Sequence, residues 1–281
     1  MNTKTALVTG GTDGVGKSIV KALVAKHYNV FFIGANQDKG LKLEAELKKT
    51  LAGDTDTNVS FIHLDLSDIK SVKQFAGVFS ETHARLDLLL LSAGVAIPKR
   101  LETDDGIEKT FAIGYLSAFV LCHELAPLLA KGDKSRILLV SGGGEVVLKE
   151  RLDFNDFNNV KNYNAIKSAA RTVHAKTVLT EVLSKEFADK DIDVNCFHPG
   201  IVKSGLGRNM PWPISFAFKG ASLVMPRESK TGIYACISES LNGVTGQFLV
   251  SKKRIPLKFN EAYKEKLIKN TESILSAVFD S

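Results

Sequence analysis

The chain alternates short apolar runs with longer segments in which apolar residues recur every three or four positions. Runs rich in Val, Leu, Ile and Phe predict buried parallel strands at residues 5–9, 30–33, 59–64, 87–91, 136–140, 193–197 and 247–250. Segments of helical period predict crossover helices at residues 16–26, 40–51, 67–82, 106–130 and 163–188. This order predicts an α/β fold: one doubly wound domain over residues 1–281, with a seven-stranded parallel sheet, helices on both faces and ligands at the carboxyl ends of the strands.

Two segments interrupt this alternation. Residues 142–162 form a polar, glycine-led stretch, and residues 201–229 form a long connection that contains prolines. Loops of this length are typical of lids and binding segments, with plain insertion as the alternative. The second segment carries large apolar side chains at Trp212, Phe216, Phe218, Leu223 and Val224. They indicate a pocket for an apolar substrate, ordinary packing onto the domain, or a lid that dips into a membrane surface.

The charge of the chain is concentrated at its end. Of the net charge of +6, the whole excess lies in residues 203–281, which hold 12 basic and 6 acidic side chains, whereas residues 1–202 hold 25 of each. A basic C-terminal extension, residues 251–281, indicates a solvated surface or peripheral contact with an anionic surface or carrier. Nucleic acid is not expected as a partner, because the basic residues are not interleaved with stacking aromatic side chains.

Cysteine usage and the chain start bear on the compartment. Cys122, Cys196 and Cys236 lie in apolar runs and predict buried thiols of a reducing compartment. No group of His, Cys, Asp and Glu has metal-ligand spacing, so no metal site is predicted. The first residues lead straight into a strand, and no apolar run is long enough to span a bilayer, so a cytoplasmic protein is expected.

The first predicted strand ends in a glycine-rich turn, TGGTDGVGKS at residues 9–18, which runs directly into a helix. Glycines let the backbone approach a phosphate, and the free amides of a helix N-terminus receive its charge. Residues 11–18 fit the phosphate loop of nucleoside triphosphatases, with Asp65 as the magnesium-binding acid. Residues 9–16 fit a dinucleotide-binding turn equally well, so this segment leaves both interpretations open.

A tyrosine and a lysine downstream favour the dinucleotide interpretation. Tyr163 and Lys167 open a predicted helix at positions i and i+4, which share one helical face. The ammonium can then lower the pKa of the phenol, so that the phenol exchanges protons near neutral pH. His198-Pro199-Gly200 follows the next strand, and together these motifs form a specific constellation.

Over nearly its whole length the chain resembles the short-chain dehydrogenase/reductase family, and in particular its retinol-dehydrogenase-like branch. The motifs are TGGTDGVG (9–16), LDLS (64–67), LLLLSAG (88–94), DGIEKTFAIGYLSAF (105–119), RILLVS (136–141), YNAIK (163–167) and HPGIVKS (198–204). The resemblance implies a Rossmann-type domain that transfers hydride between a nicotinamide cofactor and the carbonyl or alcohol group of a mainly apolar molecule. It also implies a homodimer built on helices 106–130 and 163–188, although the basic tail would block further assembly.

The resemblance also implies roles for individual residues. Tyr163 would be the general acid/base, and Lys167 would bind the nicotinamide ribose. The implied cofactor contacts are Thr9, Gly10, Thr12, Asp13, Gly14, Val15, Gly16, Asn36, Asp65, Leu66, Ser92, Ala93, Gly94, Tyr163, Lys167, Pro199, Gly200, Val202 and Ser204. Among them, Asp65 would meet the adenine amino group, and residues 199–202 would face the nicotinamide.

Three positions depart from the family pattern. The serine that polarises the substrate carbonyl falls on Gly142, and Ser141 stands one position early. Because one step along a strand turns a side chain to the other face, Ser141 is catalytic only if the glycines at 142–144 reshape the turn. The helix asparagine of the family falls on Gly114, and the first residue of its Asn-Ala-Gly is Ser92. A dinucleotide-binding protein with little catalysis, acting as a sensor or partner, is therefore the alternative to the enzyme.

The end of the second strand decides between NAD and NADP. Gly34 and Ala35 occupy the positions of the acidic residue that binds the NAD ribose and of the arginine that binds the NADP phosphate. Gly34 leaves room for a phosphate, but Asp13 would repel it and Lys39 is expected to lie too far away. NADP(H) is favoured slightly over NAD(H).

Overall fold

The chain folds around one eight-stranded sheet. The computed structural model describes residues 3–51, 57–161, 163–203 and 225–280. The strands are β1 (Thr5–Thr9), β2 (Asn29–Gly34), β3 (Val59–His63), β4 (Leu88–Leu91), β5 (Ser135–Val140), β6 (Ile192–His198), β7 (Gln247–Val250) and β8 (Lys253–Pro256). Their order in the sheet is β3-β2-β1-β4-β5-β6-β7-β8, which is the doubly wound order with its crossover point between β1 and β4.

The predicted seven-stranded sheet requires a correction. The seven predicted strands are present and parallel, but β8 adds an eighth strand that runs antiparallel to β7, with Lys253 opposite Val250. The sequence Lys-Arg-Ile-Pro lacks the apolar character of the other strands because β8 lies at the edge of the sheet, where charges and proline are tolerated. The sheet is therefore mostly parallel.

Helices cover both faces of the sheet. They are α1 (Gly14–Val24), α2 (Gln37–Thr50), α3 (Ile69–Thr82), α4 (Lys109–Phe111), α5 (Ser117–Glu124), α6 (Ala126–Leu129), α7 (Ala165–Glu186), α8 (Lys230–Ile237) and α9 (Glu261–Phe279). Apolar side chains of α1, α2 and α8 pack on one face, and those of α3, α5, α7 and α9 lie on the other. The helix starts are set by side chains that accept backbone N–H bonds, for example Asp13 at α1 and Asn164 at α7.

The helix predicted over residues 106–130 is interrupted in the structure. A π-helical turn, Ala112–Leu116, separates α4 from α5, and α6 follows as a separate short helix. Gly114 lies in this turn, and a Cβ there would overlap the γ-methyl group of Thr172 on α7. The space for the family's asparagine is therefore filled by Thr172, which was not evident from the sequence.

The C-terminal extension is folded onto the domain. After β8, helix α9 packs against α7 and α3. Lys264 forms a buried ion pair with Glu181 of α7 (Nζ–Oε1, 2.8 Å), and the hydroxyl groups of Tyr115 and Thr271 are 2.8 Å apart. Helix α9 thus lies against α7, one of the two helices on which the predicted homodimer would be built.

Two further expectations bear on the unusual segments of the chain. The proposed lid at residues 201–229 falls largely outside the described residues, as do its large apolar side chains and Ser204. Residues 142–161 are largely irregular and include two 3₁₀ turns, Gly144–Lys149 and Phe154–Asp156. Among the described residues, no helix has the length and apolarity that a membrane crossing requires.

Candidate active site

The glycine turn after β1 has the close packing of a phosphate-binding backbone. Gly10 and Gly14 have φ values of +64° and +50°, which side-chain-bearing residues rarely adopt. A Cβ on Gly16 would overlap the carbonyl oxygen of Gly10 and lie 2.5 Å from Oγ of Ser92. The turn therefore folds back on itself at the carboxyl edge of the sheet, where α1 begins, and a helix N-terminus is a site that favours an anion.

The ends of β1 and β4 are joined beside this turn. Ser92 Oγ donates to the carbonyl oxygen of Thr9 (2.5 Å), and the backbone N–H of Ala93 donates to Thr9 Oγ1 (3.2 Å). Ser92 therefore has a structural role at the place of the family's asparagine. A Cβ on Gly94 would meet no atom within 4 Å, so the chain leaves open space beside the predicted ribose site.

The end of β2 carries the residues that are expected to distinguish NAD from NADP. A Cβ on Gly34 would lie 2.5 Å from the γ-methyl of Thr12, so an acidic side chain at this position has no room. Asn36 caps α2, and Lys39 reaches the glycine turn, where its Nζ lies 3.4 Å from Oδ2 of Asp13. Lys39 thus brings an ammonium group to the side of the glycine turn, a contact that the sequence did not predict.

Asp65 follows β3 with both carboxylate oxygens engaged. Its Oδ1 accepts bonds from the backbone N–H and hydroxyl of Ser67, and its Oδ2 lies 3.8 Å from Nζ of Lys109. Burial raises the pKa of Asp65, but the Ser67 bonds and Lys109 outweigh it and hold the pKa below its usual value. Asp65 is thus an ionised acceptor at the predicted adenine site. Leu66 packs in the core, so its backbone alone is available to a cofactor.

Ser229 links the bend after β6 to α1 by hydrogen bonds. Ser229 donates from Oγ to the carbonyl oxygen of Pro199 (2.8 Å), and its backbone N–H donates to Ser18 Oγ (3.2 Å). Gly200 has a φ of +77°, and Val202 is buried. Nδ1 of His198 is buried with no hydrogen-bond partner among the described residues. The predicted nicotinamide end therefore offers a polar atom that a bound group can satisfy.

The phosphate-loop interpretation does not fit this geometry. In that motif the serine after the lysine holds magnesium. Here Ser18 is buried, donates to the carbonyl oxygen of Val15 (2.9 Å) and accepts the N–H of Ser229. Its hydroxyl is buried and hydrogen-bonded inside the fold instead of facing a magnesium site, so the triphosphatase alternative is rejected.

Tyr163 lies just before α7, not in its first turn. Asn164 caps the helix by accepting the backbone N–H groups of Ile166 and Lys167, so the helix starts at Ala165. The Tyr163 hydroxyl donates to the carbonyl oxygen of Ile97 (2.7 Å). Burial raises the pKa of the phenol above its usual value. The predicted pairing with Lys167 on one helical face, and the lowered pKa that follows from it, are therefore not found in this arrangement.

Ser141 is directed away from Tyr163. It is fully buried, its Oγ lies 2.8 Å from Oγ1 of Thr177 in the middle of α7, and its backbone N–H donates to Phe197. The register of β5 explains this, since Ser141 continues the strand and faces α7. At Gly142, by contrast, a Cβ would meet only methyl groups of Val173, at 3.9 Å and beyond. The family's serine position is thus open, although the chain has no side chain there.

Sequence reasoning missed Glu108, a fully buried carboxylate near Tyr163. It caps α4 through the backbone N–H groups of Thr110 (2.9 Å) and Phe111 (3.0 Å), and it accepts the hydroxyl of Ser168 on α7 (2.9 Å). Its charge adds to the rise in the pKa of Tyr163. The signal was present as an acidic residue directly before a helix start, but such residues are usually exposed caps.

The residues present fit a dinucleotide. The glycine turn provides a cradle that a Cβ would fill, Asp65 provides an acceptor for an amino group, and the partnerless atom of His198 lies at the opposite end. These features lie at the carboxyl ends of β1, β3 and β6, along the edge where doubly wound folds bind their ligands.

Comparison with known proteins agrees with this geometry. The family model for short chain dehydrogenase matches residues 4–212. Retinol dehydrogenase 14 of Mus musculus is 28% identical over 95% of this chain and 84% of its own length, and polyprenol dehydrogenase of Danio rerio is 30% identical over 90% and 80%. A solved short chain dehydrogenase from Burkholderia cenocepacia has a TM-score of 0.65 at 20% identity, over 88% of this chain and 95% of that one. The chain therefore belongs to the short-chain dehydrogenase family, as an NAD(P)-dependent dehydrogenase/reductase of its retinol-dehydrogenase-like branch.

Proposed function

We propose that the chain transfers hydride between NADP(H) and the carbonyl or alcohol carbon of an apolar molecule, with Tyr163 as the general acid/base. The observation that carries the proposal is the cradle formed by Gly10 and Gly16 at the same sheet edge as Tyr163. Turnover of NADPH with a panel of apolar aldehydes and ketones tests it. Binding of NADPH without turnover across the panel would favour the sensor alternative.

The raised pKa of Tyr163 suits a proton donor. The phenol stays protonated at neutral pH, so it is ready to protonate a carbonyl oxygen once it releases the carbonyl of Ile97. Bound NADPH supplies the hydride for this reduction. In the oxidative direction the phenolate must accept the alcohol proton, which becomes easier as the pH rises. We assign Lys167, in the first turn of α7, to the cofactor ribose.

The substrate oxygen also needs a hydrogen-bond donor. Ser141 is engaged by Thr177, so we assign this role to backbone N–H groups of the glycine run 142–144. Gly143 and Gly144 both have positive φ values, +69° and +56°, and two such residues in succession turn the backbone sharply after β5. Preorganised amides of this kind stabilise a developing oxyanion.

Gly142→Ser is expected to raise kcat. The open space at this position accepts a side chain, and the new hydroxyl would stand at the family's serine position. Removal of one aligned oxyanion donor from an enzyme usually lowers kcat by about 10²–10³-fold. We therefore expect the added hydroxyl to raise kcat by about tenfold. The measurement is kcat for NADPH-dependent reduction, with Gly142→Ala as the control. An equal gain in both variants would show that the hydroxyl is not responsible.

The NADP preference rests on Lys39 and Thr12. No acidic residue ends β2, Thr12 occupies the space where its side chain would stand, and Lys39 brings a cation to the glycine turn. Its ion pair with Asp13 also offsets the charge that would repel a phosphate. The similar Burkholderia cenocepacia enzyme was solved in complex with NADP, which supports the same choice.

Lys39→Ala is expected to raise KM for NADPH about tenfold and to leave KM for NADH unchanged, because a lost charged hydrogen bond affects only the 2′-phosphate. Steady-state kinetics with both cofactors give the comparison. Lys42→Ala, an exposed lysine on the same helix, is the matched control. Equal losses for both cofactors would contradict the assignment.

An apolar substrate is supported by exposed apolar side chains around the site. Four large apolar side chains are 60–72% exposed. Val146 and Val160 lie in the segment between β5 and α7, Ile166 lies in the first turn of α7, and Ile201 follows β6. Such residues normally mark a binding surface when they cluster. Retinol dehydrogenase 14 and polyprenol dehydrogenase, two relatives of the chain, are named for apolar alcohols.

A cytoplasmic location is also proposed. Cys122, Cys196 and Cys236 are free and buried, and burial raises the pKa of each thiol, to about 12 for Cys196 and Cys236. Inert buried thiols are typical of proteins from a reducing compartment. Fractionation of cells that express the full chain tests this location.

A further inference from the structure

A cavity of about 390 Å³ lies between the 3₁₀ turn Gly144–Lys149 and the segment that leads into α9. Apolar groups of Leu148, Leu257 and Phe259 line it, together with the ring of Tyr263. Small-molecule pockets usually enclose about 300–1,000 Å³ and have apolar walls with a few polar groups. The cavity therefore has the size and lining of a binding site.

The walls of this cavity are fixed by hydrogen bonds around His174 of α7. His174 Nδ1 donates to the carbonyl oxygen of Val147 (2.7 Å), and Nε2 lies 3.0 Å from the hydroxyl of Tyr263. Burial lowers the pKa of His174, so the ring is neutral and Nε2 accepts the Tyr263 proton. The same hydroxyl accepts the N–H of Leu152 (2.8 Å). These bonds join α7, α9 and the segment after β5 into one wall.

The rim of the cavity is basic. Arg151 donates to the carbonyl oxygen of Glu150 (2.8 Å), and its guanidinium lies 6.0 Å from the ring centre of Tyr263. Lys258 stands on the other side, exposed to solvent. Of the nearby acids, Glu145 is paired with Lys253 (2.7 Å), and Glu181 and Glu261 are paired with Lys264 (2.8 and 2.7 Å), which leaves Glu150 beside Arg151. The rim therefore favours an anion over an apolar floor.

We propose that this cavity binds an amphipathic anion, a single apolar chain that ends in a carboxylate or a phosphate. The chain would lie against Leu148, Leu257 and Phe259, and the head would meet Arg151 and Lys258. The site is separate from the active site, because His174 lies about 10 Å beyond Lys167 along the axis of α7. The shared wall nevertheless connects it to the segment that carries Gly142.

Equilibrium dialysis of the full chain against labelled decanoate, decyl phosphate and decanol tests the proposal. We expect one molecule of decanoate or decyl phosphate to bind per chain, at least tenfold more tightly than decanol. In the variant R151A/K258A the Kd for both anions is expected to rise about tenfold. Leu148→Trp, which fills the cavity, is expected to weaken all three. The control K42A/K49A removes two exposed charges from α2 on the opposite face of the sheet.

Each outcome decides the proposal without reference to turnover. Tighter binding of decyl phosphate would identify phosphate headgroups as the source, and tighter binding of decanoate would identify free carboxylates; both support the site. Binding of the anions that is unchanged in R151A/K258A, as expected for a molecule in the substrate site, would overturn it. Absence of anion binding to the unaltered chain, or equal weakening of decanol and the anions in R151A/K258A, would overturn it as well.

Discussion

Tyr163→Phe is expected to lower kcat by about 10²–10⁴-fold, the usual contribution of a general acid. The substitution removes only the hydroxyl that donates to Ile97 and leaves the ring in place. The hydride donor still binds, because the cradle at Gly10 and Gly16 is untouched. Steady-state kinetics with an accepted aldehyde give kcat, and fluorescence titration with NADPH gives the Kd, which is expected to stay within about twofold.

Tyr234→Phe is the matched control for this variant. Tyr234 is near the surface of α8, and its hydroxyl lies 2.9 Å from Oγ of Ser240, away from the glycine turn. Its loss is expected to leave kcat unchanged. Full turnover by Tyr163→Phe would remove the tyrosine from the mechanism and leave proton transfer to another group or to water.

Gly16→Ala is expected to weaken NADPH binding about ten- to a hundredfold. The new methyl would overlap the carbonyl oxygen of Gly10, which is backbone and cannot move without opening the turn. Overpacking of this kind costs about 1–3 kcal/mol, and each 1.4 kcal/mol expressed in binding is a tenfold change. Calorimetric titration with NADPH measures the loss of binding affinity. Thermal unfolding of the free protein measures how much of the overpacking cost lowers the stability of the fold instead.

Gly77→Ala is the control for this substitution, because it adds the same methyl group elsewhere. Gly77 lies inside α3, and a Cβ there would meet no atom within 4 Å. We expect it to stabilise the protein by about 0.5–1 kcal/mol through helix propensity and to leave NADPH binding unchanged. Normal NADPH affinity in Gly16→Ala would contradict the glycine cradle.

The sheet could be predicted from the sequence because its parallel strands are buried on both sides. Such strands are continuous apolar runs, and all seven were located. Strand β8 has no such run, because it is an exposed edge strand. Its presence in the sheet depends on backbone hydrogen bonds to β7, which the sequence pattern does not show. The break at Ala112–Leu116 was equally hidden, and so was the contact of Gly114 in that turn with Thr172, a residue distant in the chain.

The glycine turn was also predictable, because the residues that form it are contiguous in the sequence. The surroundings of Tyr163 were not, because they are set by contacts between distant segments. The cap at Asn164 places Tyr163 before α7, and Ile97 and Glu108 come from loops that the sequence does not connect to it. The contact between Lys39 and Asp13 was not predictable for the same reason, because it depends on how α2 packs.

Transfer of label from the 4-position of deuterated NADPH is the most direct test of the central claim. The unaltered chain is incubated with both stereospecifically labelled forms of NADPH and with the panel of apolar aldehydes and ketones. Mass spectrometry then reports deuterium at the alcohol carbon of the product. The account predicts transfer from one of the two labelled forms, and a loss of at least about a hundredfold in Tyr163→Phe. NADPH binding without label in any alcohol product would contradict it and indicate a dinucleotide-binding protein without catalysis.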